Sequence, residues 1–178
     1  IWELAYAGIT SCKIDGRLKN ESYVRNVVRE YSLALDEIVS RRPSDYERES
    51  FGSVSGGFTP DTSKTFNRGY TELFIDGRRG RWASMDAAKS MGEEIGSIAS
   101  LNRDKSEIGL KFTGKDIVLN NGDGFSFVTK DGKVAGFRGD VCQGKTIRCK
   151  STPTLFIGAR IYRNINAAFE KEIERKNC

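Results

Sequence analysis

Histidine is absent from the 178 residues. Its absence removes Ser–His and Cys–His nucleophile pairs, histidine zinc sites and a histidine general base from this chain. Cysteine is sparse and badly spaced for a metal. Cys12, Cys142, Cys149 and Cys178 form no Cys-x-x-Cys pair, and the nearest two stand seven positions apart. That spacing matches no common site. Nothing else in the sequence has secreted character. The four are therefore read as reduced thiols, buried or incidental, with a Cys142–Cys149 disulfide as the alternative. No stretch approaches the roughly 18 apolar residues of a membrane span. The first residues show no basic, apolar, small-residue signal pattern.

What is present suits a folded, water-facing chain. Hydrophobic residues make up 38% and charged residues 30%, enough for a core and too apolar for a disordered tail. Lysine and arginine exceed aspartate and glutamate by five. The length fits one domain, or a small domain with a piece of another. Ile1 to Ala7 reads as the last turns of a helix ended by Gly8. A domain does not normally open that way, so a stretch of a longer protein is expected.

Ile9 to Asp15 is β-branched and predicts a strand. Asn20 predicts a cap for the helix that follows, with Glu21 in its first turn. Val24, Val27, Val28, Tyr31, Leu35, Ile38 and Val39 recur at helical spacing up to about Ser40. Strand, loop and amphipathic helix together form the unit of an α/β protein. Residues 41–63 turn polar and rich in Gly and Ser, predicting a linker with one helical turn near Tyr46 to Ser50. Residues 64–92 interleave aromatics and arginines without periodicity. Short strands follow at 94–101, 108–112, 125–128, 134–138, 146–149 and 160–163, with Asp131-Gly132 marking a hairpin. Ala167 to Lys176 predicts a terminal helix. The expected fold is mainly β with flanking helices, an α+β chain. Its centre is a small closed β-barrel, since closure removes exposed edges. The divisions are 1–40 for the strand–helix unit, 41–63 for the linker, and 64–178 for the barrel with its helix.

The run Ala7-Gly8-Ile9-Thr10-Ser11-Cys12-Lys13-Ile14-Asp15-Gly16-Arg17-Leu18-Lys19, with Tyr23-Val24 and Val27-Val28, resembles a motif of the collagenase-like peptidase U32 family. Asp15 stands where many members have Glu. Phe66-Asn67-Arg68-Gly69-Tyr70-Thr71, Asn121-Gly122-Asp123-Gly124, Tyr162-Arg163-Asn164 and Phe169-Glu170 resemble later segments of the larger members. The resemblance implies the last strand and helix of a large α/β barrel. A small β-barrel similar to elongation factor Tu domain 2 would follow. It implies a cytoplasmic parent protein whose activity is RNA base hydroxylation, in ribosomal or transfer RNA, or else peptide-bond hydrolysis. A folding or oligomer-contact module without a ligand is the third alternative. Related members carry an iron–sulfur cluster on cysteines elsewhere. The four cysteines here do not sit at those positions, so no cofactor is expected in this stretch. The stretch alone is expected to be non-catalytic.

Several side chains are candidates for function. Alternation puts Lys13, Asp15 and Arg17 on one side at the end of a strand. Arg17 would clamp a carboxylate or phosphate with Asp15 orienting it, or the two would simply form a structural ion pair. Asn67, Arg68 and Tyr70 suit an RNA contact or an inter-domain hinge. Arg78, Arg79 and Arg81 beside Trp82 suit phosphates and an unpaired base, or a solvated surface. Asp123 lies between glycines and reads as a turn residue rather than a ligand. Asp86, Glu93 and Glu94 lack a partner base and suggest no acid–base chemistry. The expected partners are the rest of an α/β barrel and RNA, with no membrane. The apolar face of residues 20–40 is expected to self-associate if uncovered.

Overall fold

The computed structural model describes residues 1–49, 51, 57–67, 77 and 90–175. The chain divides into two compact units, residues 1–62 with 172–178, and residues 63–171.

In the first unit, α1 (Trp2–Tyr6) is followed by α2 (Glu21–Arg41). Asn20 caps α2 by accepting from the Tyr23 amide at 3.0 Å, and Glu21 favours the positive end of the helix dipole. Ion pairs Arg25–Glu21 and Arg41–Glu37 add support one turn apart. Arg41 lies over the Trp2 ring and Arg42 over the Tyr6 ring, at 5.1 and 5.0 Å from the centroids. The Tyr46 hydroxyl donates to Ala5 O at 3.2 Å. These contacts hold α1 at the C-terminal end of α2. Asn26 is fully buried and exchanges two hydrogen bonds with the Asp61 main chain, at 2.8 and 2.9 Å. Part of the expected linker is thereby tied to the helix.

Two expectations fail here. Residues 9–15 do not form a strand. A strand exists by its ladder, and no described strand pairs with this segment. The helical turn expected from Tyr46 to Ser50 is absent over 46–49. The chain turns earlier, at Pro43 to Asp45, where the Asp45 and Tyr46 amides both donate to Arg42 O. Proline both stops α2 and starts that turn.

The second unit is a curled antiparallel sheet. Its strands are β1 (Glu93–Leu101), β2 (Glu107–Phe112), β3 (Gly124–Val128), β4 (Val134–Arg138), β5 (Val141–Gln143), β6 (Thr146–Arg148) and β7 (Arg160–Ile165), and α3 (Ala167–Glu174) follows. The order is β4-β3-β7-β1-β2-β6-β5. The two edge strands, β4 and β5, are consecutive in sequence with only residues 139 and 140 between them. Three Cα–Cα steps reach at most about 11 Å. The sheet must therefore curl until the end of β4 reaches the start of β5, although the two edge strands form no ladder with each other. At the seam, Gly139 still pairs toward β3, its amide donating to Asp123 O at 2.9 Å, while Asp140 already donates to Arg148 O at 2.8 Å. A Cβ on Gly139 would lie 2.7 Å from Cys142 Sγ and 2.9 Å from a Phe125 ring carbon, so only glycine fits the corner.

Ile95, Ile98, Ile108, Leu110, Phe125, Phe127, Ile147, Leu155 and Ile161 fill the interior, with Phe112 packed at its margin. Alternation delivers the pairs Ile108/Leu110 and Phe125/Phe127, since residues two apart on a strand face the same side, while Leu155 comes from the connection before β7. β1 bulges at two points, and at one of these, Gly96, a Cβ would meet Lys111 O at 2.2 Å.

Candidate functional site

The segment between α1 and α2 carries Lys13, Asp15 and Arg17, all exposed. Asp15 accepts from Arg17 Nε at 3.1 Å, from Nη2 at 2.6 Å and from the Arg17 amide at 3.0 Å. The hydrogen bonds from Arg17 hold the Asp15 carboxyl below its ordinary range, and the same pairing raises Arg17. The two residues are thus together. Lys13 makes no ion pair among the described residues. Arg68, Tyr70, Arg78, Arg79, Arg81 and Trp82 lie outside the described residues, while Asn67 bonds locally, to Ser90 and to Ser63 O.

Asp123 sits in the turn before β3, wholly buried, and takes part in a node of charge. One oxygen accepts the Ala167 amide at the start of α3, and the other accepts the Asn120 amide, at 2.8 and 2.9 Å. Arg163 approaches that second oxygen at 3.5 Å, gives Nη1 to Val118 O at 2.7 Å, and gives Nη2 to Glu93 at 2.8 Å. Its Nε is buried without a partner. With both carboxylate oxygens spoken for, Asp123 fastens a turn, a strand and a helix start to one another. It offers no open position for a ligand.

The thiols are free at Cys12, Cys142 and Cys149. Burial, with the Asp123 charge second, pushes Cys142 up to about 11, and burial also raises Cys149. Such thiols are poor nucleophiles and poor metal ligands. Among the described residues, no group of three or more Cys, Asp and Glu could hold a metal. Cys178 lies outside the described residues. A recess bounded by Glu21, Ser22, Arg25, Ile173 and Glu174 has its guanidinium already engaged, by Glu21 and by Ile173 O. No helix among the described residues is long and apolar enough to cross a membrane.

The open end of the barrel is more informative. β1, β3 and β6 run toward it, so the turns at 102–106 and 129–133 and the connection at 149–159 all gather there. The Thr152 amide donates to Lys105 O at 3.3 Å and the Cys149 amide to Ser106 O at 2.9 Å. Lys105 Nζ donates to Pro153 O and Leu155 O at 2.5 and 2.7 Å. Lys130 stands 5.3 Å over the Phe156 ring, joining the third turn to the same rim. None of these lysines is singled out by sequence pattern. Each lies in a separate turn, and only strand direction shows that the turns share an end.

Comparison with known proteins gives three findings. Residues 1–84 match the model of Peptidase family U32. The chain is 35% identical over 137 residues to the 23S rRNA 5-hydroxycytidine C2501 synthase of Escherichia coli (strain K12), which covers 77% of this chain and 20% of that protein. The chain thus spans about one fifth of the length of that relative. No solved structure matches the chain.

Proposed function

With residues 1–84 belonging to peptidase family U32, we propose that this chain is the RNA-holding part of a cytoplasmic enzyme that hydroxylates a base in ribosomal RNA. One observation carries the proposal, the likeness to the E. coli rRNA synthase. A 137-residue stretch placed anywhere in 178 residues includes residues 42–137, so that likeness takes in β1, β2 and β3 as well as residues 42–84 of the family-matched segment. Peptide-bond hydrolysis, the activity in the family's name, has less support. The relative that the chain matches is named as an rRNA synthase and not as a peptidase.

In this reading the chemistry belongs to the other four fifths of such a protein, and so does any iron–sulfur cluster. The role of this chain is to grip RNA. Arg17 supports that role, because Asp15 engages Nε and Nη2 and leaves Nη1 for a phosphate oxygen. Arg68, Arg78, Arg79 and Arg81 are proposed phosphate contacts, and Tyr70 and Trp82 proposed stacking partners for unpaired bases. The extended segment 9–15 and the apolar stripe of α2 are proposed to face the rest of an α/β barrel. That stripe, Val24, Val28, Tyr31 and Leu35, recurs at helical spacing, and the last three are 47%, 38% and 48% exposed.

The test is nucleoside mapping of ribosomal RNA in a strain of the source organism lacking the gene. One hydroxylated pyrimidine should disappear and return on complementation. Unchanged ribosomal RNA in the deletion overturns the proposal.

A further inference from the structure

Among the described turns between the barrel strands, the net positive charge lies at one end. Residues 102–106, 129–133 and 149–159 hold Arg103, Lys105, Lys130, Lys133 and Lys150 against Asp104 and Asp131, a net +3 out of +5 for the chain. β2, β5 and β7 run to the other end. There, the described segments 113–123 and 144–145 hold Lys115 and Lys145 against Asp116 and the buried Asp123, a formal net charge of zero. The asymmetry arises from antiparallel strand order, which sends alternate turns to opposite ends.

The basic end also leaves its cations available. Arg103, Lys130 and Lys150 make no ion pair among the described residues, although Lys130 rests on Phe156. The two carboxylates are exposed but locally engaged, and Asp131 also pairs with Lys133 at 3.5 Å. Asp131 accepts from Thr129 Oγ1 at 2.5 Å, and Asp104 from Ser106 Oγ at 3.0 Å. Lys105 is spent on main-chain carbonyls, which fixes the rim's shape. Beside Phe156, Ile157 is 66% exposed and supplies apolar surface among the cations.

We propose that this rim, with Arg103, Lys130 and Lys150 as its charged contacts, is the surface of the barrel that takes unpaired RNA. The inference rests on the RNA reading above and assigns it a place. Phosphates go to the three cations, and the exposed Ile157 meets a base face. Cation sites spread over three turns suit a flexible strand better than a rigid duplex, because a single strand can follow an uneven rim.

The experiment is a salt titration of oligouridylate binding to the 178-residue chain. Wild type is compared with Arg103→Gln/Lys130→Gln/Lys150→Gln and with Lys115→Gln/Lys145→Gln from the neutral end. Each single-strand phosphate contact contributes about 0.7 to the slope of log affinity against log salt. The rim variant should lose about 2 from that slope and bind at least roughly tenfold more weakly at low salt. The neutral-end variant should bind like wild type. Melting temperatures should agree among all three proteins, since exposed cations contribute little to stability. A rim variant with the wild-type slope overturns the placement and leaves the RNA reading standing. Equal losses in both variants also overturn the placement, because net charge alone would then explain binding. A wild-type chain that does not bind the oligonucleotide overturns the rim and counts against the RNA reading itself. Ribosomal RNA mapping then judges that reading separately.

Discussion

Asp123 is a buried carboxylate with no exposure, facing an Arg163 side chain that is only 5% exposed. Burying two charges is costly, and the pair persists because hydrogen bonds surround it. The turn around Asp123 is legible in Asn120-Asn121-Gly122-Asp123-Gly124, a run of turn-forming residues. The pairing is not legible, because Arg163 lies forty positions on and nothing local to either residue points to the other. Cys142 illustrates the same limit. As a lone cysteine it carries no signal, yet the fold holds it beside Gly139 with its thiol raised from the ordinary 9.0 to about 11. The sign of the consequence follows. The folded protein keeps this proton to higher pH than the unfolded chain does. Its contribution to stability is therefore full below pH 9 and fades as pH rises from 9 toward 11. Urea midpoints measured across that range should fall more for wild type than for Cys142→Ala. Parallel declines would show that this thiol carries none of the loss.

At the scale of elements, β3 is the strand most clearly written in the sequence. Phe125 and Phe127 alternate with small residues, and both rings point inward, where they meet Phe137 at 5.3 and 6.2 Å between centroids. Ser126, on the other face, donates to Met91 O at 2.8 Å, so β3 is covered on both sides. Phe127→Ala should cost about 3–5 kcal/mol, as a large ring leaves a cavity that a curled sheet cannot close. Equilibrium urea unfolding checks it, and a loss below about 1 kcal/mol would mean the register places Phe127 elsewhere. β5 was illegible for a physical reason. It is three residues long and follows Gly139-Asp140, which reads as a turn. The glycine instead bends one continuous run of chain from one ladder to the next. α2 was legible throughout, because its cap, its ion pairs and its apolar stripe are all local. Residues 9–15 have the composition of a strand but no ladder among the described residues. β propensity describes a fit to a sheet and does not build one.

For the molecule as a whole, the apolar core is unevenly shared. Among the described residues of 63–171, twelve buried residues form a single cluster, from Ile95 to Ile161. In the other unit, the buried apolar residues among those described are Val27, Ile38 and Ile173. Burial of apolar surface is the main favourable term in folding, so local stability should differ between the units. α2 is long and well capped, yet helices draw most of their stability from packing rather than propensity. Its exposed stripe therefore leaves it weak by itself. Native-state hydrogen exchange on the 178-residue chain tests this directly. Amides of β1, β3 and β7 should exchange only through global unfolding. Amides in the middle of α2 should exchange faster, by on the order of a hundredfold or more, through local opening. The comparison needs intrinsic rates divided out and a dilute sample, because self-association through the stripe would protect the helix. If α2 amides at low concentration are as protected as those of β1, the stripe is not a weakness. Adding protein should slow α2 exchange selectively if the stripe pairs with a second copy, and should leave the β1 rates unchanged.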